Sequence, residues 1–207
     1  MSHGRRLVLL GLSALLAACQ LPGAGEPPNL YTLSPARNFA SNLPRVDWQL
    51  IVEPPVTAAG LSTSRIALQR SPVTLEYYAH SNWSDAAPIL VQTLLVESFE
   101  NTGRIVGVSR EATGLRADYI VRPDLRAFQA VYDASRAPTI QVKINVKLVR
   151  VSDRTIIGNY TAEQNVRADS GDLRDIARAF DQALAPVMRD IVEWTLTAPA
   201  AAPSPRR

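Results

Sequence analysis

The chain has 207 residues, with 22 Lys and Arg against 19 Asp and Glu. Its basic residues are scattered singly, so the sequence lacks the concentrated basic face that nucleic-acid binding usually needs. Cys19 is the only cysteine and the two histidines are His3 and His80, which excludes an internal disulfide and a multi-histidine metal site.

The first 18 residues have the layout of a cleavable signal peptide. Arg5 and Arg6 precede an apolar run over residues 7–18, which is shorter than the roughly 20 residues of a transmembrane helix. The run ends in Leu16-Ala17-Ala18-Cys19, which resembles the lipobox of bacterial lipoproteins. We therefore expect cleavage before Cys19 and lipidation of its thiol with acyl chains such as palmitate. The alternative is an ordinary secretory signal that happens to contain a cysteine.

The residues on either side of the folded part predict where the domain is anchored and how it is connected to its anchor. Gln20 follows the cysteine, and by resemblance to the enterobacterial sorting rule this favours the periplasmic face of the outer membrane over the inner membrane. The Pro- and Gly-rich residues 19–29 predict a flexible tether, and the Ala/Pro-rich residues 198–207 predict a disordered tail. A single folded domain over residues 30–197 is left between them.

The first half of this domain predicts short strands followed by a helix. Strands are predicted at 31–33, 48–53, 65–70 and 74–79, with a turn or short helical loop over 56–62. The turn signal Ser71-Pro72 makes the last two strands a hairpin. A helix over 85–102 follows, because apolar residues recur at helical spacing, with Ser84 able to cap its start and Gly103 able to end it.

The second half repeats this order. Strands are predicted at 105–109, 118–132, 139–151 and 155–164, and a helix at 173–196 with a kink at Pro186. Pro123 predicts a bulge or an edge position in the second of these strands. Residues 140–148 alternate strictly between apolar and polar, which is typical of an antiparallel sheet with one buried and one solvated face. The predicted fold is therefore α+β: an antiparallel sheet with two α-helices packed on one face.

Four short segments, taken in order, resemble a known family. They are Tyr31-Thr32-Leu33-Ser34-Pro35, Leu50-Ile51-Val52-Glu53-Pro54, Tyr77-Tyr78-Ala79 leading to Trp83, and Ala117-Asp118-Tyr119. Their order and spacing are similar to those of the ABC-type transport auxiliary lipoproteins, also called PqiC-like lipoproteins. The resemblance covers nearly the whole mature domain.

The resemblance implies a partner and a process. The partner would be an ABC transporter with an MCE-domain (mammalian cell entry) substrate-binding subunit, and the process would be lipid transport between membranes in support of envelope integrity. Because MCE subunits form rings, the resemblance leaves a homo-oligomer open. The alternative function is a periplasmic lipoprotein adaptor for cell-wall synthesis or outer-membrane assembly.

The sequence predicts no catalytic residue, cofactor or metal ligand, so we expect a protein that is not an enzyme. His80 lacks a thiol partner in the mature chain, and Asp169, Asp172 and Asp175 straddle a predicted helix start, where capping explains them. The segment from Tyr78 to Pro88 is aromatic-rich, and aromatic residues are enriched at interface hot spots. We therefore take Tyr78, Trp83 and Pro88 as partner-interface candidates, with burial in the core as the alternative.

Overall fold

The computed structural model describes residues 27–110 and 117–201. The predicted signal peptide, Cys19, residues 20–26 of the tether and the end of the tail lie outside the described residues. The described part contains nine strands and two α-helices: β1 (Asn29–Tyr31), β2 (Val46–Val52), β3 (Val56–Thr57), β4 (Arg65–Ser71), β5 (Thr74–Trp83), α1 (Ala87–Asn101), β6 (Ile105–Ser109), β7 (Tyr119–Val131), β8 (Thr139–Arg150), β9 (Ile156–Arg167) and α2 (Leu173–Ala201). The 3-10 turn at Ala59–Leu61 matches the predicted helical loop.

The sheet is organised around β7. One edge of β7 pairs antiparallel with β8, and β8 pairs antiparallel with β9. The other edge is shared by three parallel neighbours, with β2 at its start, β3 in its middle and β4 at its end. The hairpin partner β5 extends the sheet from β4, while β1 adds parallel to β5 and β6 parallel to β2. The predicted α+β class is confirmed, but the sheet is mixed rather than purely antiparallel.

Pro123 lies in this central strand and not at an edge. Along β7, the Val121 carbonyl accepts the Glu53 N–H, and the Leu125 carbonyl accepts the Thr57 hydroxyl. Because backbone groups of alternate residues point to the same edge, the Pro123 nitrogen faces the gap between β2 and β3. Its missing N–H therefore removes no ladder bond, and the predicted bulge occurs slightly later, between Leu125 and Ala127.

Both helices cover one face of the sheet. The inward side chains of β8, from Ile140 to Leu148, are fully buried, and α2 packs its apolar face against β8 and β9. Helix α2 packs tightly against β9 at Gly158, where a Cβ would lie 2.8 Å from Trp194 Cζ2. The Trp194 ring also stacks on Tyr160, with 5.5 Å between ring centroids. A larger residue at position 158 would therefore push the helix away from the sheet.

The helix ends differ from the sequence prediction in two ways. The N-cap of α1 is Ala86, which has no side-chain capping bond, so Ser84 is not the cap. At the other end of the chain, α2 continues to Ala201 through Pro199. Residues 198–201, predicted as part of a disordered tail, are therefore helical, while residues 202–207 lie outside the described part. Gly103, with φ of 59°, ends α1 as predicted.

Residues 32–45, between β1 and β2, cross the helical layer, and we call them the N-terminal strap. Three of its apolar side chains are buried: Leu33, Ala36 and Leu43. Three of its backbone N–H groups donate hydrogen bonds to helix side chains: Ser34 to Asp181 Oδ1 (2.6 Å), Ala36 to Ser98 Oγ (2.9 Å) and Ala40 to Glu193 Oε1 (2.8 Å). The chain next to the predicted tether is thus fastened to both helices, although it has no regular structure.

Candidate functional site

Two of the three predicted interface residues belong to the core. Trp83 is only 1% exposed, and its ring lies 4.9 Å from Phe180 and 5.5 Å from Phe128 between centroids. Pro88 is buried in the first turn of α1. A side chain already covered within its own domain offers no surface to a partner, so Trp83 and Pro88 are wrong as partner-facing residues.

Tyr78, the third candidate, is half-buried at the hairpin. Its hydroxyl is hydrogen-bonded to the Tyr132 hydroxyl at 2.9 Å, and the Arg70 guanidinium lies over the Tyr132 ring, 4.9 Å from its centroid. Burial, and then the bond to Tyr132, raise the pKa of Tyr78 well above its ordinary value. The phenol therefore stays protonated at physiological pH and acts as a neutral hydrogen-bonding group.

A Tyr78→Phe substitution separates a structural role from a partner role. We expect it to lower the free energy of unfolding by about 1 kcal/mol, because the Tyr132 hydroxyl loses its partner. Urea denaturation of the purified domain measures this change. Unchanged stability combined with lost partner binding would instead assign the hydroxyl to the interface.

A second surface emerges opposite the helices, and we call it the open sheet face: the outward side chains of β7, β8 and β9. Most of its charges are paired, across strands, within one strand or with neighbouring loops: Lys143 with Glu163 (2.7 Å), Arg126 with Asp124 (2.8 Å), Arg122 with Glu53 (2.9 Å) and Arg167 with Asp133 (3.3 Å). The polar positions of β8, namely Gln141, Lys143, Asn145 and Lys147, were predicted to form this solvated face. No helix of the described residues covers it.

A groove of about 380 Å³ runs across the open sheet face. Its apolar lining includes Val56 and Ile156, which are 72% and 55% exposed, and its polar lining includes Arg122 and Lys147. At its base Asn145 is 2% exposed. Strands β7 and β8, which carry Arg122 and Lys147, lie between β3 and β9, which carry the two apolar residues. The groove therefore mixes apolar and cationic side chains, as protein-binding surfaces commonly do.

The Asn145 amide holds β8 and β9 together below this groove. Its Nδ2 group lies 2.6 Å from Asn159 Oδ1, 2.8 Å from Thr161 Oγ1 and 3.1 Å from the Tyr160 carbonyl oxygen. Because an amide nitrogen carries two protons, three acceptors compete for two donors and leave little freedom to rotate. The base of the groove is therefore preformed.

At the far end of this face, Asp133 has an unusually acidic carboxyl. Hydrogen bonds from Ser135, followed by Arg167, lower the pKa of Asp133 from 3.8 to about 2. Since the folded value is depressed, its contribution to stability is present above the unfolded value near 3.8 and is lost as the pH falls through about 2. Carboxyl NMR titration of a Ser135→Ala variant should return the Asp133 pKa toward its ordinary value. A pKa that does not move would contradict this assignment.

The acidic residues near the start of α2 form a helix-terminus network. The Ser170 hydroxyl donates to Asp175 Oδ2 at 2.7 Å and lowers the pKa of Asp175, and Arg178 pairs with both Asp175 and Asp169. Asp175 lies in the first turn of α2, where a carboxylate is favoured by the positive end of the helix, as predicted. Within residues 27–110 and 117–201, no three His, Cys, Asp or Glu side chains gather where they could hold a metal ion. Over the same ranges, no helix has the length and apolar character needed to cross a bilayer.

Comparison with known proteins agrees with the fold. The crystal structure of protein XCC0632 from Xanthomonas campestris is 29% identical, with a TM-score of 0.79, and covers 84% of this chain and 97% of that one. A second solved structure, of an uncharacterised protein, has a TM-score of 0.65 at 15% identity, covers 82% of this chain and 99% of that one, and supports the fold alone.

A curated relative extends the comparison to sequence. The uncharacterized protein bll6063 of Bradyrhizobium diazoefficiens is 25% identical over 191 residues, which is 90% of this chain and 51% of that protein. The chain thus spans about half the length of this relative. The family model described as the ABC-type transport auxiliary lipoprotein component matches residues 31–192. That family is one of auxiliary components rather than enzymes, and the match includes β2 to β9, α1 and most of α2. The chain therefore belongs to the ABC-type transport auxiliary lipoprotein component family.

Proposed function

We propose that the chain is a periplasmic lipoprotein that serves an MCE-type ABC lipid transport system as a non-enzymatic accessory. The observation that carries this proposal is the family match over residues 31–192, which assigns the domain to ABC transport. The lipobox ending at Cys19 supports the anchored form, and Gln20 supports the outer membrane as its location. The cargo would be lipid that passes through the MCE subunit.

Tethering is the proposed mechanism. An acyl anchor at Cys19 confines the domain to a thin layer at the membrane and raises its effective concentration there, so a weak contact with the transporter suffices. The attachment of the tether supports this mechanism. A pull on the anchor would first reach β1, which pairs with β5, and then the N-terminal strap, which is bonded to Asp181, Ser98 and Glu193 of the helices. The domain would then be held at a fixed attachment point rather than at the end of a long loop.

We propose the open sheet face as the surface that docks onto the MCE subunit. The helices and the strap cover the opposite face of the sheet, whereas this face presents the groove between Val56 and Ile156. Lys147 has an exposed side chain at the groove and would pair with an acidic group of the partner. Charged groups in such a surface set orientation and on-rate, while its apolar side chains supply most of the affinity.

Affinity capture from detergent-extracted membranes tests the proposal. The lipidated chain, tagged at its C-terminus, should bring down MCE and ABC subunits. An Ile156→Asp variant should lower the captured MCE subunit by about tenfold, because a carboxylate would enter the apolar groove. The matched control is Val106→Asp, which makes the same change at a 69% exposed position on β6, away from the groove.

The possible outcomes are distinct. Capture of cell-wall enzymes or assembly factors without any transporter subunit would contradict the proposed function. If both variants capture as much transporter as the parent does, the proposed function stands, but the open sheet face is not the docking surface.

A further inference from the structure

The direction of the chain at β1 indicates where the membrane lies relative to the domain. Strand β1 runs parallel to β5, with Asn29 opposite Ser81. The residues that precede Asn29 therefore depart toward the start of β5, which is the turn that joins β4 to β5. We call residues 71–75 at this turn the hairpin tip. The tether leaves the domain on the side to which the hairpin tip projects.

The lengths of the tether and the hairpin are comparable. Ten residue steps separate Cys19 from Asn29, a distance of about 18 Å for a flexible linker and of about 35 Å at full extension. Eight residue steps separate Val73 from Ser81, which is about 26 Å of extended strand. The bulge near His80, where φ is 51°, makes the real distance shorter. An anchored Cys19 thus brings the lipid surface to the level of the hairpin tip.

The hairpin tip is apolar at its end. Val73 is 90% exposed, the most exposed of the large hydrophobic residues described, and Leu75 lies beside it. Nearby, Arg70 and Glu76 form an ion pair at 3.8 Å, so the flank of the tip carries compensated charge. An apolar end with little net charge suits the boundary between lipid headgroups and acyl chains.

The hairpin tip is also braced against the body of the domain. A Cβ at Gly60 would lie 2.6 Å from Leu75 Cδ2, so the turn at Ala59–Leu61 sits directly against this strand. The Tyr77 hydroxyl donates to the Gly60 carbonyl at 2.9 Å, and the Arg65 guanidinium lies 3.9 Å from the centroid of the Tyr77 ring. The tip is therefore positioned by its neighbours and does not need to order itself at a surface.

We propose that the hairpin tip contacts the lipid leaflet that holds the acyl anchor, with the Val73 side chain inserted at the level of the headgroups. The proposal rests on the lipidation of Cys19 in the proposed function. One valine adds little affinity beside acyl chains, so the contact orients the domain. With the tether and the hairpin tip as two points of attachment, the domain stands with the long axis of β5 directed away from the membrane.

Fluorescence on reconstituted lipoprotein tests this contact. The lipidated chain carrying Val73→Cys is labelled with an environment-sensitive dye and inserted into phosphatidylethanolamine–phosphatidylglycerol vesicles, since the Cys19 thiol is acylated and does not react. We expect emission at shorter wavelength and loss of most of the signal when the lipids carry nitroxide at the headgroup. Val106→Cys, on the β6 edge, is the matched control and should show neither change.

Any other outcome contradicts the proposed contact between the hairpin tip and the lipid leaflet. Equal quenching at positions 73 and 106, in a chain that floats with the vesicles and has the mass of the acylated form, rejects the contact and leaves the lipoprotein assignment intact. A blue shift at position 73 without nitroxide quenching means that protein, such as a second copy of the chain, covers the tip. A chain that lacks acyl mass and does not float removes the anchor, and with it both the proposed function and the contact.

Discussion

Alanine at position 83 is expected to lower the free energy of unfolding by about 3 to 5 kcal/mol, the usual range for the loss of a large aromatic side chain from a core. Trp83 joins β5 to the rings of Phe128 on β7 and Phe180 on α2, and these two rings lie 5.0 Å apart between centroids. Its removal leaves a cavity that these neighbours fill only in part. A loss of this size is a large share of the stability of a typical domain.

Urea denaturation followed by circular dichroism measures this effect. Trp83→Phe is the matched control, and we expect it to recover much of the loss because a ring remains between Phe128 and Phe180. A Trp83→Ala domain with the stability of the parent and a selective loss of partner binding would restore the original view of Trp83 as an interface residue.

Serine at position 19 is expected to release the protein from membranes. Each buried methylene of an acyl chain contributes roughly 0.8 kcal/mol to membrane binding, so two or three chains bind strongly and their loss leaves only surface contacts. Fractionation should find the parent in the membrane pellet and Cys19→Ser in the periplasmic extract. Gln20→Asp is the control for sorting, since it keeps the anchor and should move the protein toward the inner membrane. A Cys19→Ser chain that stays in the membrane pellet would show that another element holds it.

The sequence predicts strands better than it predicts their partners. Strict alternation over Ile140 to Leu148 identifies β8 and its two faces, and the Ser71-Pro72 turn identifies the hairpin of β4 and β5, since both signals are local. The parallel pairs of β7 with β2, β3 and β4 join segments that are distant along the chain. Alternation records which side chains are buried but not which strand lies alongside, so the mixed character of the sheet was not predictable in this way.

The same limit explains the error at Trp83 and the absence of any prediction for the strap. Between the pairs Tyr77–Ala67 and Asn82–Arg65, strand β5 contains extra residues and His80 takes a positive φ. This bulge changes which face later residues occupy, so the face of Trp83 does not follow from that of Tyr78. The strap has no helical or strand-like spacing of apolar residues, because single helix side chains such as Ser98, and not a neighbouring strand, hold its backbone. Such bonds leave no pattern in the sequence.

The candidate docking surface was partly predictable. The polar residues of β8 indicate a solvated face, and Lys147 is exposed as expected. Asn145 is nevertheless almost fully buried, because Asn159 and Thr161 of the neighbouring strand satisfy its amide. The groove itself depends on Val56 and Ile156, which are far apart in sequence and line the same groove only in the folded sheet.

Photo-crosslinking in living cells from position 156 tests the central claim most directly. A crosslinking amino acid placed there lies in the groove of the open sheet face, in a chain that is anchored and sorted normally. The account predicts a covalent adduct with the MCE subunit of an ABC transporter and much weaker adducts from position 106 on the β6 edge. Adducts only with cell-wall synthases or outer-membrane assembly proteins would contradict the claim that this lipoprotein serves lipid transport.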